Sequence, residues 1–123
     1  YLERFEPSPV LDEPYLILGV GALAADTDAE AERIGLPSRI LRLGIHTNRR
    51  HPLLSPDDAA DHPDADQARH MRSEQLIGST ERVTEGLRDL AQRTKADELM
   101  LTAMTYDVAD RIRSLDLIHA AWR

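Results

Sequence analysis

Short, nearly unbroken apolar runs alternate along this chain with longer segments in which apolar residues recur every three or four positions. Tyr15 to Ala25, Leu76-Ile77-Gly78 and Glu98 to Met104 are the apolar runs. Their length, branched and glycine positions and polar boundaries read as strands, and the continuous hydrophobicity of Tyr15 to Ala25 predicts burial on both faces of a parallel sheet. After the first run, Thr27 with Glu30 three residues later forms a capping box, the glutamate expected to reach back to the N-cap amide, so a helix starts here. Gly35-Leu36-Pro37 predicts an interruption or kink in that helix; Ile40, Leu41 and Leu43 add a turn or two, and Gly44 is the expected stop. The polar, proline-rich stretch from Ile45 to Pro63 predicts a long surface loop with at most a short helix over Asp57 to Ala60. Pro63 suits the first position of a helix running to about Glu74, with Ala65, Ala68 and Met71 inward.

The remainder is more regular. Ser79 opens a helix whose apolar stripe is Val83, Leu87, Leu90 and Ala91. Asp107 opens the last one, with Val108, Ile112, Leu115, Ile118 and Trp122 as the face expected to be buried. Both spacings follow the period of an amphipathic helix. Repeated strand and helix alternation predicts an α/β fold, a parallel sheet covered by helices, with residues 1–123 as a single segment. At the start, Leu2 and Phe5 share one face of what reads as the last turn of a helix before the extended stretch of Pro7, Pro9 and Pro14. The expectation is therefore a piece of a longer protein.

Composition narrows the partners. A net charge of −7 (15 basic, 22 acidic residues) disfavours nucleic acid and anionic membranes, whose phosphates it would repel. Arg39, Arg42, Arg49 and Arg50 are close in sequence and read as a solvated surface. Without cysteine the chain has no disulfide, thiolate nucleophile or cysteine-based metal site. No apolar run approaches the ~20 residues of a membrane span, and a cytoplasmic location is the expectation.

Three segments carry candidate chemistry. Gly19-Val-Gly21-Ala-Leu-Ala24 matches the dinucleotide fingerprint, but apolar residues continue to Ala25 and the helix cap comes only at Thr27. Glycines inside a strand that admit a close neighbour are the preferred reading. Gly78 and Ser79, at a strand end and helix start, are weak candidates for phosphate binding through backbone N–H groups, against Ser79 as a plain N-cap. Thr102, Met104, Tyr106 and Asp107 end the last strand, the end that faces ligand in parallel α/β folds, and are cofactor-binding candidates by position. The histidines show no metal spacing; His62 to His70 mixes His and Asp in a polar segment, and no metal site is expected.

Pro14-Tyr-Leu-Ile-Leu-Gly-Val, Ala24-Ala-Asp-Thr-Asp-Ala-Glu-Ala31, Gln75-Leu-Ile-Gly-Ser-Thr-Glu81, Ala96-Asp-Glu-Leu-Met-Leu-Thr102, and Tyr106-Asp107 with Arg111-Ile-Arg-Ser114 occur in an order that resembles the C-terminal part of bacterial luciferase-like flavin-dependent monooxygenases. The resemblance implies the closing section of a (β/α)8 TIM barrel with about three parallel strands. It also implies reduced FMN as cofactor (a deazaflavin in some branches), dioxygen and a small organic substrate, and a flavin reductase as partner. The family's main flavin contacts come from earlier strands, so the resemblance assigns no catalytic residue here and implies that this section alone is inactive. Unpaired sheet edges imply association, with a second copy or with the missing part. The alternative is a non-catalytic α/β oligomerisation or regulatory module without flavin.

Overall fold

The computed structural model describes residues 1–122. A short 3-10 turn over Leu2–Arg4 precedes β1 (Ile17–Ala25), α1 (Asp28–His46), α2 (Pro56–Ala60), α3 (Ala65–His70), β2 (Leu76–Ser79), α4 (Thr80–Thr94), β3 (Glu98–Thr102) and α5 (Val108–Ala121). The strands form one parallel sheet in the order β2-β1-β3. The expected α/β architecture is thus the observed one.

β1 is shared by two half-ladders. Ile17 to Gly21 pair with Glu98 to Thr102 along one edge, and Ala22 to Ala25 pair with Leu76 to Ser79 along the other. Alternate residues face opposite layers, as strand geometry requires. Val20, Ala22 and Ala24 join Val83 and Leu87 of α4 and Ile118 of α5 in one core; Leu23 and Ala25 join Ala31 and Ile34 of α1 and Ile77 of β2 in another. A third cluster packs Leu36, Ile40 and Leu43 of α1 on Ala59, Ala65 and Ala68 of α2 and α3.

Above Gly21 the β3 side of β1 has no strand. Ser114 fills the gap: its buried hydroxyl accepts the Ala24 N–H at 2.8 Å, so a helix side chain replaces a ladder bond. At the other end, Tyr15 donates its phenolic proton to Glu98 at 3.1 Å and the Leu16 N–H reaches Asp97 at 2.7 Å, tying the entry of β1 to the start of β3.

Several expectations need correction. α1 runs unbroken through Pro37, because Leu36, Pro37 and Ile40 are all buried. Each buried apolar side chain contributes about 1.5–3 kcal/mol, enough together to offset the roughly 3 kcal/mol of an interior proline. Gly44 does not stop the helix. It lies inside it, where a Cβ would collide with the Arg49 carbonyl oxygen, while Asn48 at φ 58° makes the left-handed exit. The capping box is half made: the Thr27 hydroxyl accepts the Glu30 N–H, but the Glu30 carboxylate turns to Arg33. α3 begins at Ala65 after Asp64 and ends at His70, short of Glu74, although Ala65 and Ala68 point inward as read.

β3 is buried on one face only, with Leu99 and Leu101 toward the helices and Glu98, Met100 and Thr102 exposed. In α5 the buried residues are Ser114 and Ile118, while Val108, Ile112, Leu115 and Trp122 of the expected stripe are exposed. The face of α5 turned to β1 carries Ser114, bonded to Ala24, and Ile118, which packs in the core with Val20, Ala22 and Ala24.

Replacing Ser114 with alanine leaves a buried N–H without a partner and should cost about 1–3 kcal/mol in urea denaturation; an unchanged midpoint would mean that water takes the place of the hydroxyl. The bond to Glu98, followed by its charge, raises the Tyr15 phenol above its ordinary value. A raised folded-state value means that this contribution is complete below the unfolded tyrosine pKa and is lost as pH climbs through the higher folded one. In an absorbance titration one tyrosine should ionise late, and Glu98→Gln should bring it back toward the ordinary range.

Candidate functional site

All three strands run the same way, so their carboxyl ends share one side of the sheet. The stagger shapes what lies there. α1 covers the upper half of one face of β1, through Leu23 and Ala25, but leaves Ile17 and Gly19 on the lower half exposed, beside Met100 and Thr102 of β3. A cleft of about 340 Å³ opens under α1, lined by Ser38, Leu41, Arg42, Ile45, Gln75, Thr102, Ala103 and Met104. A wider one of about 600 Å³ continues along Gly19, Gly21 and Glu74, and Arg42, Gln75 and Thr102 line both.

Gly21 permits the junction. A Cβ there would lie 2.8 Å from Gln75 Cγ, so the missing side chain lets Gln75 lie across β1. Both fingerprint glycines are therefore strand residues, and neither stands at a helix N-terminus as a pyrophosphate site requires.

The position candidates separate. Thr102 lines the cleft and its hydroxyl donates to the Val20 carbonyl at 3.4 Å; Met104, half exposed, forms part of the wall. Tyr106 is exposed and does not line either cleft. Asp107 caps α5 by accepting the Ala109 N–H at 2.9 Å. The Gly78–Ser79 turn already holds an anion of its own, since the Asp28 carboxylate accepts the Ser79 N–H at 2.7 Å and stands 3.8 Å from Arg82. Ser79 itself caps α4 by accepting from Arg82 N. A phosphate would have to displace that carboxylate, which is why the weak phosphate reading of Gly78 and Ser79 finds no support in this geometry.

No motif marks Ser38, Leu41, Arg42, Ile45 or Gln75 as site residues. Ser38, Leu41, Arg42 and Ile45 fall at i, i+3, i+4 and i+7, one face of a helix. That signal is hidden if the helix is thought to break at Pro37. The expected solvated patch also divides, because Arg39 is nearly buried against Glu32 at 3.6 Å while Arg49 pairs with Asp64 at 3.3 Å. Among the described residues no group of three His, Asp or Glu could hold a metal ion, and no helix is long and apolar enough to cross a membrane. A separate cavity of about 350 Å³ between α4 and α5 is lined by Leu87, Ala91, Leu99, Ile118 and Trp122. It also touches Glu98 at the amino end of β3, so it lies away from the strands' carboxyl ends.

No family model matches the chain. It is 34% identical over 127 residues to the uncharacterized protein YvbT of Bacillus subtilis, spanning 100% of this chain and 38% of that protein. A protein of Escherichia coli K12 named luciferase-like monooxygenase is 26% identical over 121 residues, 95% of this chain and 36% of its own length. Among solved structures, apo-MsnO8 superposes with a TM-score of 0.88 at 32% identity, over 99% of this chain and 39% of that one. The chain is similar to a luciferase-like monooxygenase. It spans little more than a third of the relatives it matches.

Replacing Asp28 with alanine should free the Ser79 N–H to water and lower stability by about 1 kcal/mol, read from the urea midpoint; no change would show that the carboxylate contributes nothing there.

Proposed function

We propose that residues 1–123 are a single segment, the C-terminal section of a TIM-barrel flavin-dependent monooxygenase that oxidises a small organic substrate with dioxygen. One observation carries this reading: the likeness to apo-MsnO8 runs through 99% of the chain at a TM-score of 0.88. The named luciferase-like monooxygenase supports the same class at 26% identity. Consecutive barrel strands are hydrogen-bonded neighbours, so β1 and β3 serve as adjacent staves, and β2 with α1 to α3 builds over their carboxyl ends. The open face of Gly19, Gly21, Met100 and Thr102 is then part of the barrel interior.

The residues present fit one wall of a flavin site. Gly19 offers a low floor to a planar ring, and Thr102 and Gln75, which lies over Gly21, bring polar groups to its edge. The Gly78–Ser79 turn does not cradle a phosphate, because the Ser79 N–H is taken by Asp28. Reduced FMN, or a deazaflavin in some branches, supplies the electrons that let dioxygen deliver one oxygen atom to the substrate and the other to water. This chain's part is to orient and to exclude water: Leu41, Ile45 and Met104 form the apolar wall, and Thr102 presents its hydroxyl. Asp107 holds the start of α5 at the rim, and Tyr106 stands exposed beside it. A flavin reductase is the electron-supplying partner, the setting is cytoplasmic, and the section alone is without turnover.

The exposed Val108, Ile112 and Leu115 of α5 favour association, with a second copy or with the rest of the barrel. A full-length protein carrying this segment should quench FMN fluorescence on binding and consume dioxygen with a flavin reductase and NADH. The 123-residue chain by itself should sediment as an associated species without turnover. No flavin binding by the longer protein would favour the non-catalytic module, and a monodisperse monomer of the short one would contradict the association.

A further inference from the structure

Three arginines lie on α1, and two are paired. Arg33 meets Glu30 at 3.1 Å and Arg39 meets Glu32 at 3.6 Å. Arg42 is half-buried in the cleft wall, and its one bond among the described residues is a long one, 3.4 Å, to the Ser73 hydroxyl. That same hydroxyl already accepts the Gln75 N–H at 3.1 Å. A guanidinium drawn partly out of water without a carboxylate gives up hydration for little return, and an anion brought by a ligand reverses that balance. The Gln75 side-chain amide also makes no hydrogen bond among the described residues, and it lines both clefts beside Arg42.

We propose that Arg42, with the Gln75 amide beside it, binds the carboxylate of the substrate, while Leu41, Ile45 and Met104 hold the substrate's apolar body. The word substrate rests on the monooxygenase reading; the carboxylate site does not. At about 340 Å³ the cleft suits a small molecule. A single carboxylate fits it better than a phosphate for two reasons. Glu74 lines the adjoining cleft and opposes a dianion. The N-terminus of α1, which could add backbone donors, lies about 21 Å from Arg42 along the helix at 1.5 Å per residue.

Benzoate, its neutral isostere benzamide and inorganic phosphate are the probes, each titrated into the full chain and followed by ligand-observed NMR. Benzoate should bind saturably, with benzamide weaker by about tenfold or more, the scale of a charge-assisted hydrogen bond. Arg42→Gln should lose about the same factor for benzoate and nothing for benzamide, and Arg42→Lys should fall between, since it keeps the charge but loses the fork. Circular dichroism checks that each variant is folded, and the benzoate-to-benzamide comparison on the unaltered chain needs no variant. Equal binding of the two, no saturable benzoate binding, an unchanged Arg42→Gln, or displacement of benzoate by equimolar phosphate overturns the site. FMN titration of the longer protein separates the two readings: flavin binding without benzoate preference sinks only the carboxylate site, and benzoate preference without flavin binding sinks only the flavin.

Discussion

The split hydrogen-bonding of β1 is the constraint on which the rest of the structure depends. Its nine residues pair with β3 over the lower half of one edge and with β2 over the upper half of the other, and the two stretches do not overlap. Parallel strands need crossovers, so helices must pass on both sides of this strand. α4 joins β2 to β3 across β1, and α5 returns beside it, making the core of Val20, Ala22, Ala24, Val83, Leu87 and Ile118. On the other face α1 has an apolar surface to meet only where Leu23 and Ala25 project. Backbone groups left over at the step between the half-ladders need partners of their own. Ser114 supplies one for Ala24, on the face of α5 that also buries Ile118.

The cleft follows from the same stagger. Because α1 covers the top of the sheet and not the bottom, a sheltered space remains between its underside and the face of Gly19, Gly21 and Thr102. The strands' carboxyl ends open into that space, the end at which parallel α/β folds in general take their ligands. Charge is mostly neutralised in pairs around it: Asp26 with Arg113 at 2.5 Å, Asp28 with Arg82, Glu30 with Arg33. These pairs are exposed and contribute little each. Arg42 differs in being half-buried in the cleft wall without an ion pair among the described residues, although Glu74 lines the adjoining cleft.

Much of this was legible in the residues. Strand positions, the Thr27, Ser79 and Asp107 caps, the short helix at Asp57 to Ala60 and the stripe of α4 all follow from local rules of capping and periodicity. The errors came where a distant contact overrides a local preference. Pro37 is tolerated because its neighbours are buried under α2 and α3. Gly44 is required by the returning Arg49 carbonyl and not by a helix end. In α5 the face that meets β1 carries Ser114 and Ile118, and Val108, Ile112, Leu115 and Trp122 of the apolar stripe are left exposed.

The sequence by itself determined the alternation of strands and helices, their approximate limits and the parallel α/β class, since these depend on the spacing of apolar residues within a few turns. It also placed Thr102 and Met104 at the carboxyl end of the last strand. Only the tertiary structure decided the order β2-β1-β3, the face that α5 buries and the gathering of Arg42, Gln75 and Thr102 around one cleft. These residues lie far apart along the chain, on a helix, a loop and a strand end. What brings them together is the register of β1 with two partners, and no local pattern encodes a register between segments that meet only on folding.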